Sequence, residues 1–292
     1  MALGNFDGVH MGHQAILTQA FEFSKTLGFP VVCFTFRPHP TLELKPQSNL
    51  KLQMTYDEKR IWLQKLGVDF CVEEPFNAEF STTSAHDFFF EILLNRLNAR
   101  VIVVGDNFNF GRNREGNIQV LKQYCDQSGI ELFAVSPVEM KGAPVSSSRI
   151  RDALAAGNVE LAAELLGRPF FYQAEVVHGD KRGRTLGFPT ANMKCEAKFP
   201  LKAGVYATSV NWRNKVYRAI TNLGTRPTFD STELKMETHL LNEDFELYGE
   251  VLLVNFHNRI RDEKKFASVQ ELKAQIESDV ILAAKLLSSR NF

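Results

Sequence analysis

The sequence predicts two dissimilar halves, an α/β domain built on a parallel sheet and then a small antiparallel β-barrel closed by a terminal helix. Three observations carry this. Up to about residue 167, short apolar runs alternate with amphipathic stretches, the pattern of crossover units around a parallel sheet. Beyond Arg168-Pro169 the rhythm changes to short alternating runs broken by Gly, Asn and Pro. At 292 residues, 44% hydrophobic and 23% charged, the chain has ordinary globular composition and room for two domains, which excludes disorder as its main state. The halves are assigned as 1–167 and 168–292.

In the first half the predicted strands are Val31 to Phe36, Val68 to Val72, Val101 to Val104 and Ile130 to Val135. Ile16, Ala20, Phe23 and Leu27 recur at helical spacing from about residue 11, and Gly28 follows as a stop. Ser84, with Asp87 three residues later, starts a helix through Leu97, while Gly67 and Gly129 close two others. Short helices over Arg149 to Ala156 and Val159 to Leu166 lead into the second half. Its strands are Phe171 to Val177, Val205 to Val210, Val216 to Ile220 and Val251 to Phe256. Arg213-Asn214 falls where a tight hairpin turn is needed, and the closing helix starts at Ser268 with Leu272, Ile276, Val280 and Leu287 on one face. The 24 phenylalanines read as core packing.

Charge and cysteine usage narrow the function. Lys+Arg 34 equals Asp+Glu 34, so no global positive field draws the chain to nucleic acid or to an anionic membrane, and neither is expected as a partner. No apolar run approaches the roughly 18 residues of a membrane span, and the start lacks signal-peptide character, which points to the cytoplasm. Cys33, Cys71, Cys125 and Cys195 are widely spaced with no Cys-x-x-Cys pair, against both zinc and structural disulfides. Self-association is compatible with the sequence.

Five segments hold residues suited to chemistry. Gly4-Asn5-Phe6-Asp7-Gly8-Val9-His10-Met11-Gly12-His13 puts glycines and histidines at the junction of the first strand and first helix. Backbone can approach an anion closely there, the helix N-terminus offers N–H groups, and the imidazoles face one ligand. The spacing fits neither the dinucleotide glycine pattern nor the lysine-bearing phosphate loop, and a turn with exposed histidines is the plain alternative. Gly105 to Arg112 follows a strand end, where open α/β sheets bind ligands; Asn107 offers a donor and an acceptor, and Phe108 either contacts a ring or anchors the loop. Ser146-Ser147-Ser148-Arg149-Ile150-Arg151 sets hydroxyls and guanidiniums at a helix start, suited to phosphates or equally to a cap with solvated arginines. Gly179 to Asn192 combines a basic loop containing Lys181 and Arg184 with Gly187, Thr190 and Asn192, a set able to wrap polyphosphate and to ligate a Mg2+ that keeps most of its waters. A hairpin tip with surface charges is the alternative. Glu237 interrupts a segment suited to a buried strand, where a carboxylate is costly unless used as a base or paired, for instance with Arg226.

Taken together and in this order, these motifs resemble the prokaryotic bifunctional riboflavin kinase and FAD synthetase family over essentially the whole chain. Gly4 to His13, Thr35-Phe36-Arg37-Pro38-His39-Pro40 and Ser146 to Arg151 look like a Rossmann-like nucleotidylyltransferase domain. Gly187-Phe188-Pro189-Thr190-Ala191-Asn192, Gly204-Val205-Tyr206, Asn222 to Phe229 and Glu237-Thr238-His239 look like a riboflavin kinase-like barrel. The resemblance implies phosphorylation of riboflavin to FMN by the second half and adenylylation of FMN to FAD, with release of pyrophosphate, by the first. ATP is co-substrate in both, with Mg2+ at the kinase site and the first site's phosphates held by protein donors alone or with a metal. It implies Glu237 as the kinase base and His10 and His13 as the adenylyl-transfer pair. Gly4, Asn5, Phe6, Gly8, Gly12, Ser146, Ser147, Ser148, Arg149, Arg151, Gly179, Lys181, Arg184, Gly187, Thr190 and Asn192 would hold ATP or its phosphates. Thr190 and Asn192 would also hold the metal, and Asn107, Phe108, Arg112 and Arg226 the flavin.

Only Met1, Ala2 and Leu3 precede the Gly-Asn-Phe-Asp motif, fewer than the usual strand of roughly five residues. An incomplete central strand would weaken the first sheet beside its own site, so the alternative expectation is a kinase alone with an impaired first half. A flavin-binding regulator without turnover and a nucleotidylyltransferase for another cofactor are further readings; the complete kinase set and the barrel motifs argue against them.

Overall fold

The computed structural model describes residues 1–179, 187–195, 199–227, 232–243 and 245–290, with backbone alone at 225–227 and 232–233. Two units separate, Met1–Ser147 and Ser148–Phe292.

The first unit is a five-stranded parallel sheet in the order β3-β2-β1-β4-β5, formed by β1 (Ala2–Leu3), β2 (Val32–Arg37), β3 (Phe70–Pro75), β4 (Val101–Gly105) and β5 (Glu131–Val135). The order reverses direction at β1, so the loops at the carboxyl ends of β1 and β4 flank the crevice where such sheets take ligands. β1 has only two residues, yet it fills the central position: Ala2 and Leu3 pair with Cys33 and Phe34, and Ala2 also pairs with Val103. The Gly4 N–H extends the ladder to Phe34 O at 3.1 Å, and the Val103 N–H donates to Met1 O at 2.8 Å. The short start therefore does not leave the middle of the sheet unpaired.

The helices follow the predicted punctuation. α1 (Met11–Leu27) is closed by Gly28 in the left-handed region, α2 spans Pro40–Leu44, and α3 (Tyr56–Lys65) opens with a full capping box between Thr55 and Glu58. Ser84 Oγ caps α4 (Ala85–Asp87) by accepting the Asp87 N–H, but the segment Phe88–Arg96 that follows is wound as π-helix. α5 (Ile118–Ser128) is again stopped by a left-handed glycine, Gly129. Phenylalanine is spent on the core as expected: Phe34, Phe36, Phe76, Phe80 and Phe88 meet mostly edge to face, with centroids 5.4–6.4 Å apart. Cys33 and Cys71, 38 residues apart in sequence, lie directly opposite each other on β2 and β3.

A two-stranded ribbon, β6 (Glu139–Met140) with β7 (Ala143–Pro144), precedes α6 (Ser147–Ala156) and α7 (Val159–Leu166). The second unit is a closed antiparallel barrel of β8 (Phe170–Val177), β9 (Ala191–Lys194), β10 (Gly204–Trp212), β11 (Lys215–Pro227), β12 (Thr232–Leu240) and β13 (Val251–Arg261), ordered β10-β11-β12-β9-β8-β13. Closure removes the sheet edges. Arg213 and Asn214 both take positive φ, 48° and 62°, as the two-residue hairpin between β10 and β11 requires. Inside the barrel the hydroxyls of Thr208, Thr221 and Thr238 form a chain at 2.8 and 2.9 Å, so three buried polar groups satisfy one another. α8 (Val269–Ser288), capped by Ser268, packs Ala283 and Leu287 onto β10 and β11, with Val280 and Leu286 at the margin. Leu272 and Ile276 of the predicted face are only half-buried.

Candidate active sites

In the first unit the segment Gly4–His10 turns out of β1 into α1. Phe6, Gly8 and Val9 all hold positive φ, 51°, 82° and 42°. For a β-branched valine this is a strained conformation that the surroundings must impose. They do so from below. Asp7 is buried and accepts the Gln53 N–H at 2.9 Å, Ser147 Oγ donates to Asp7 O at 3.0 Å, and Gln53 Nε2 donates to Ser147 O at 3.1 Å. Thr35 Oγ1 donates to Asn5 O at 3.0 Å, with Lys59 Nζ 3.0 Å from that hydroxyl. A side chain at Gly8 would run into Gln53 Oε1, and one at Gly12 would press on the His10 ring at 3.2 Å, so both glycines are required by close approach.

His10 is the N-cap of α1, and its Nδ1 accepts the His13 N–H at 3.3 Å, which leaves Nε2 as the protonated, donating nitrogen. The two imidazoles stack with centroids 3.6 Å apart. Burial above all, then repulsion from His10 whenever it takes up a proton and from Lys59, hold His13 well below the usual imidazole range. Its buried Nδ1 has no partner within the protein. At neutral pH His13 therefore stands as an uncharged imidazole. Ser146 and Ser147 are half-buried at the start of α6, Ser148 is exposed, and Arg149 and Arg151 follow in the first turns of the helix.

At the carboxyl end of β4, Asn107 is exposed, with Asn109 Nδ2 donating to its carbonyl at 2.7 Å. Phe110 is buried and anchors the loop, while Phe108, half-exposed, packs partly against the same core with the two rings stacked 5.7 Å apart. Arg112 is exposed and 3.8 Å from Glu115.

In the second unit, register aligns Asn222 of β11, Glu237 of β12 and Asn192 of β9 in one row across three strands. Glu237 is half-exposed, not buried, and its carboxylate is paired with Lys235, two residues along the same strand, at 2.8 Å. Asn192 is buried; its Nδ2 donates to Thr190 O at 3.3 Å and its Oδ1 has no partner among the described residues. Gly179 is adjacent, and a side chain there would collide with the Asn192 amide. His239 donates from Nδ1 to Pro189 O at 2.7 Å and meets the Phe188 ring edge-on at 5.6 Å, which fixes the Gly187–Asn192 segment on β12. Gly187 itself holds φ 87°. A cavity of about 230 Å³ opens here, with Thr190, Asn192 and Thr238 on the barrel side and Glu243, Phe245 and Tyr248 from the β12–β13 connection opposite. Lys181 and Arg184 lie outside the described residues, and Arg226 is described by backbone alone, opposite Glu233. Among the described residues no group of three or more His, Cys, Asp or Glu is arranged to hold a metal ion.

Two family models match the chain, FAD synthetase over residues 1–149 and riboflavin kinase over 166–287. A bifunctional riboflavin kinase/FMN adenylyltransferase of Buchnera aphidicola subsp. Schizaphis graminum is 37% identical over 289 residues, covering 98% of this chain and 93% of that protein. The Escherichia coli K12 protein of the same description is 38% identical over 285 residues, covering 97% and 91%. The chain belongs to the bifunctional riboflavin kinase/FMN adenylyltransferase family. A solved Streptococcus pneumoniae chain, described as a macrolide-efflux protein, superposes with a TM-score of 0.89 at 34% identity, covering 97% of this chain and 92% of that one. No described helix is long and apolar enough to cross a membrane.

Against that family frame, the motif reading missed Asp7, Gln53 and Lys59 beneath the first site and Phe245 and Tyr248 beside the second. Lys59 had one usable signal, its i,i+4 spacing with Leu63 on the buried face of α3. The aromatic pair had none, because it sits in an irregular connection between strands.

Proposed function

We propose that the two halves of the chain, divided in sequence near residue 168, catalyse consecutive steps of flavin cofactor synthesis. The second half transfers the γ-phosphoryl group of ATP to the ribityl hydroxyl of riboflavin, giving FMN and ADP. The first half joins the FMN phosphate to the adenylyl group of a second ATP, giving FAD and pyrophosphate. The observation that carries this reading is full-length family membership, with the FAD synthetase model over residues 1–149 and the riboflavin kinase model over 166–287.

In the kinase half the nucleophile is an alcohol, so a base is useful, and Glu237 takes the hydroxyl proton. Its pairing with Lys235 keeps the carboxylate oriented while leaving it accessible to substrate. Families of this kind use ATP and generally a divalent metal. The unpartnered Asn192 Oδ1 beside Thr190 fits Mg2+, a hard ion that takes oxygen ligands and keeps several waters. When bound, the ion would neutralise charge between phosphate oxygens. Gly179, Lys181, Arg184 and Gly187 frame the polyphosphate. Phe245 and Tyr248 offer aromatic surface to a flat ring, and Arg226 belongs to the flavin side.

In the adenylyl-transfer half the nucleophile is already anionic, so no base is needed and stabilisation at the α-phosphate dominates. Nε2–H of His10, the neutral His13, the first-turn amides of α1 and the hydroxyls and guanidiniums of Ser146, Ser147, Ser148, Arg149 and Arg151 supply it. Gly4, Asn5, Phe6, Gly8 and Gly12 shape the cradle, while Asn107, Phe108 and Arg112 contact the flavin. The cytoplasm supplies all three substrates, and self-association is not required by either step. Parallel reactions started from riboflavin and from FMN, each with ATP and Mg2+ and resolved by chromatography, test the assignment. FAD from both supports it; FMN as the sole product confines activity to the kinase half.

A further inference from the structure

Lys59 is 4% exposed, on the inner side of α3. Its ammonium touches only neutral oxygens: Thr35 Oγ1 at 3.0 Å and the Asn5 carbonyl at 3.4 Å. Among the described residues, no carboxylate lies within ion-pair distance of it. The charged and titratable groups around it are Glu73 and Cys71 on β3, Cys33 on β2, Asp7 in the turn, and His13 on α1. The Tyr56 ring lies 5.3 Å from the ammonium and carries Arg37 at 5.0 Å. A buried cation without a carboxylate partner is costly unless its site uses the charge. Here the charge sits directly beneath Asn5, the residue that opens the strained Phe6–Val9 turn.

Resting on the adenylyl-transfer reading, we infer that Lys59 is a positioning residue for the triphosphate, anchoring the Asn5 turn through Thr35 and supplying a fixed positive charge beneath the phosphate cradle. The charge is placed before substrate arrives, so no reorganisation is needed when the anion enters. Its field has a second effect on the page: Lys59 is among the groups that push protons off His13, behind burial and His10. The same ammonium that favours a phosphate therefore helps keep the neighbouring imidazole neutral.

The test uses the full chain, two substitutions and two measurements. Lys59→Met should raise KM for ATP in FAD formation from FMN by roughly tenfold or more, with FMN formation from riboflavin in the same preparation within about twofold of wild type. By NMR of histidine-labelled protein without substrate, the His13 titration should move to higher pH in Lys59→Met, where the buried methionine keeps the site filled and removes only the charge. Thr35→Val removes the hydroxyl anchor at nearly constant volume while keeping the charge. It should lower FAD formation less than Lys59→Met does and leave the His13 titration where it is. Should Lys59→Met not fold, Thr35→Val decides: lowered FAD formation with intact kinase supports the inference, and unchanged kinetics overturn it. Unchanged ATP KM and an unmoved His13 titration in a folded Lys59→Met overturn it while wild-type FAD synthesis stands. Wild-type protein that makes FMN but no FAD removes the adenylyl-transfer reading and this inference together.

Discussion

The imidazoles of His10 and His13 lie face to face, with 3.6 Å between centroids and 16° between planes. Two imidazolium ions cannot share that contact without strong repulsion, and His13 is the one held neutral, chiefly by burial. Adenylyl transfer should therefore gain nothing from acidification between pH 7.5 and 6. His13→Asn, which keeps a short polar side chain, should lower FAD formation from FMN by roughly 100-fold with the kinase reaction unchanged. A rate that climbs as pH falls would identify a charged imidazole as the active form and contradict this.

Glu237 stands opposite Asn192 and Asn222 on the barrel and is tied to Lys235. If the carboxylate removes the ribityl proton, Glu237→Gln should cut kinase turnover by roughly 100-fold or more and leave adenylylation of supplied FMN intact. Lys235→Met tests the other role of this carboxylate. A purely structural ion pair predicts equal, small losses for both substitutions, seen as melting shifts without a selective fall in turnover.

Among the described residues Asn192 bears a buried oxygen with no partner, a feature that favours ligand binding over stability. Asn192→Ala should thus raise the Mg2+ concentration needed for half-maximal kinase activity while the barrel melts within a few degrees of wild type. A large drop in melting temperature with unaltered Mg2+ dependence would assign the amide to the fold.

Gly8 holds φ 82° with its α-carbon turned toward Gln53. Gly8→Ala should cost about 1 kcal/mol in the first unit from the left-handed backbone alone. Displacement of Gln53 should also loosen Asp7 and Ser147. FAD formation from FMN is expected to fall at least tenfold while FMN formation is retained, measured by comparing the two reactions in one preparation.

His257 is buried in the barrel wall, where Ser209 Oγ lies 2.8 Å from Nε2. Burial first, then Arg290, brings its pKa down to about 4 from 6.5. A depressed histidine leaves full stability above the unfolded value, and that stability is lost as pH falls from 6.5 toward 4, because the unfolded chain takes up the proton first. His257→Gln cannot titrate, so its melting temperature should vary less than wild type across this window. Parallel curves would show that other groups set the acid limit.

Much of this architecture was legible because it is local. Gly28 and Gly129 stop helices for a reason visible in the sequence, and Arg213-Asn214 takes the turn that its spacing demands. Strands β9 and β12 were not delimited: β9 has four residues, and β12 carries Glu237, Lys235 and His239 on one face, which hides the apolar period of Met236, Thr238 and Leu240 on the other. Phe88–Arg96 reads as ordinary helix, since winding to π depends on packing rather than on pattern. The glycines and histidines of the first site were found from motif chemistry. What supports them was not, because Asp7, Gln53, Lys59 and Thr35 converge from four separate segments and only the folded sheet brings them together. The Lys235–Glu237 pair was open to reading from the sequence, since a residue two along a strand is always on the same face; the side chain of Arg226, the alternative partner, lies outside the described residues.

The central claim, two transfers in sequence on one chain, is tested most directly by following label from ATP into flavin. With riboflavin, Mg2+ and ATP labelled at the γ-phosphate, label should appear first in FMN and then in FAD. With ATP labelled at the α-phosphate, it should appear in FAD and never in FMN. Label from the γ-position in FMN with no α-label in any flavin would contradict the account of the first half, and the absence of label from both would contradict the account as a whole.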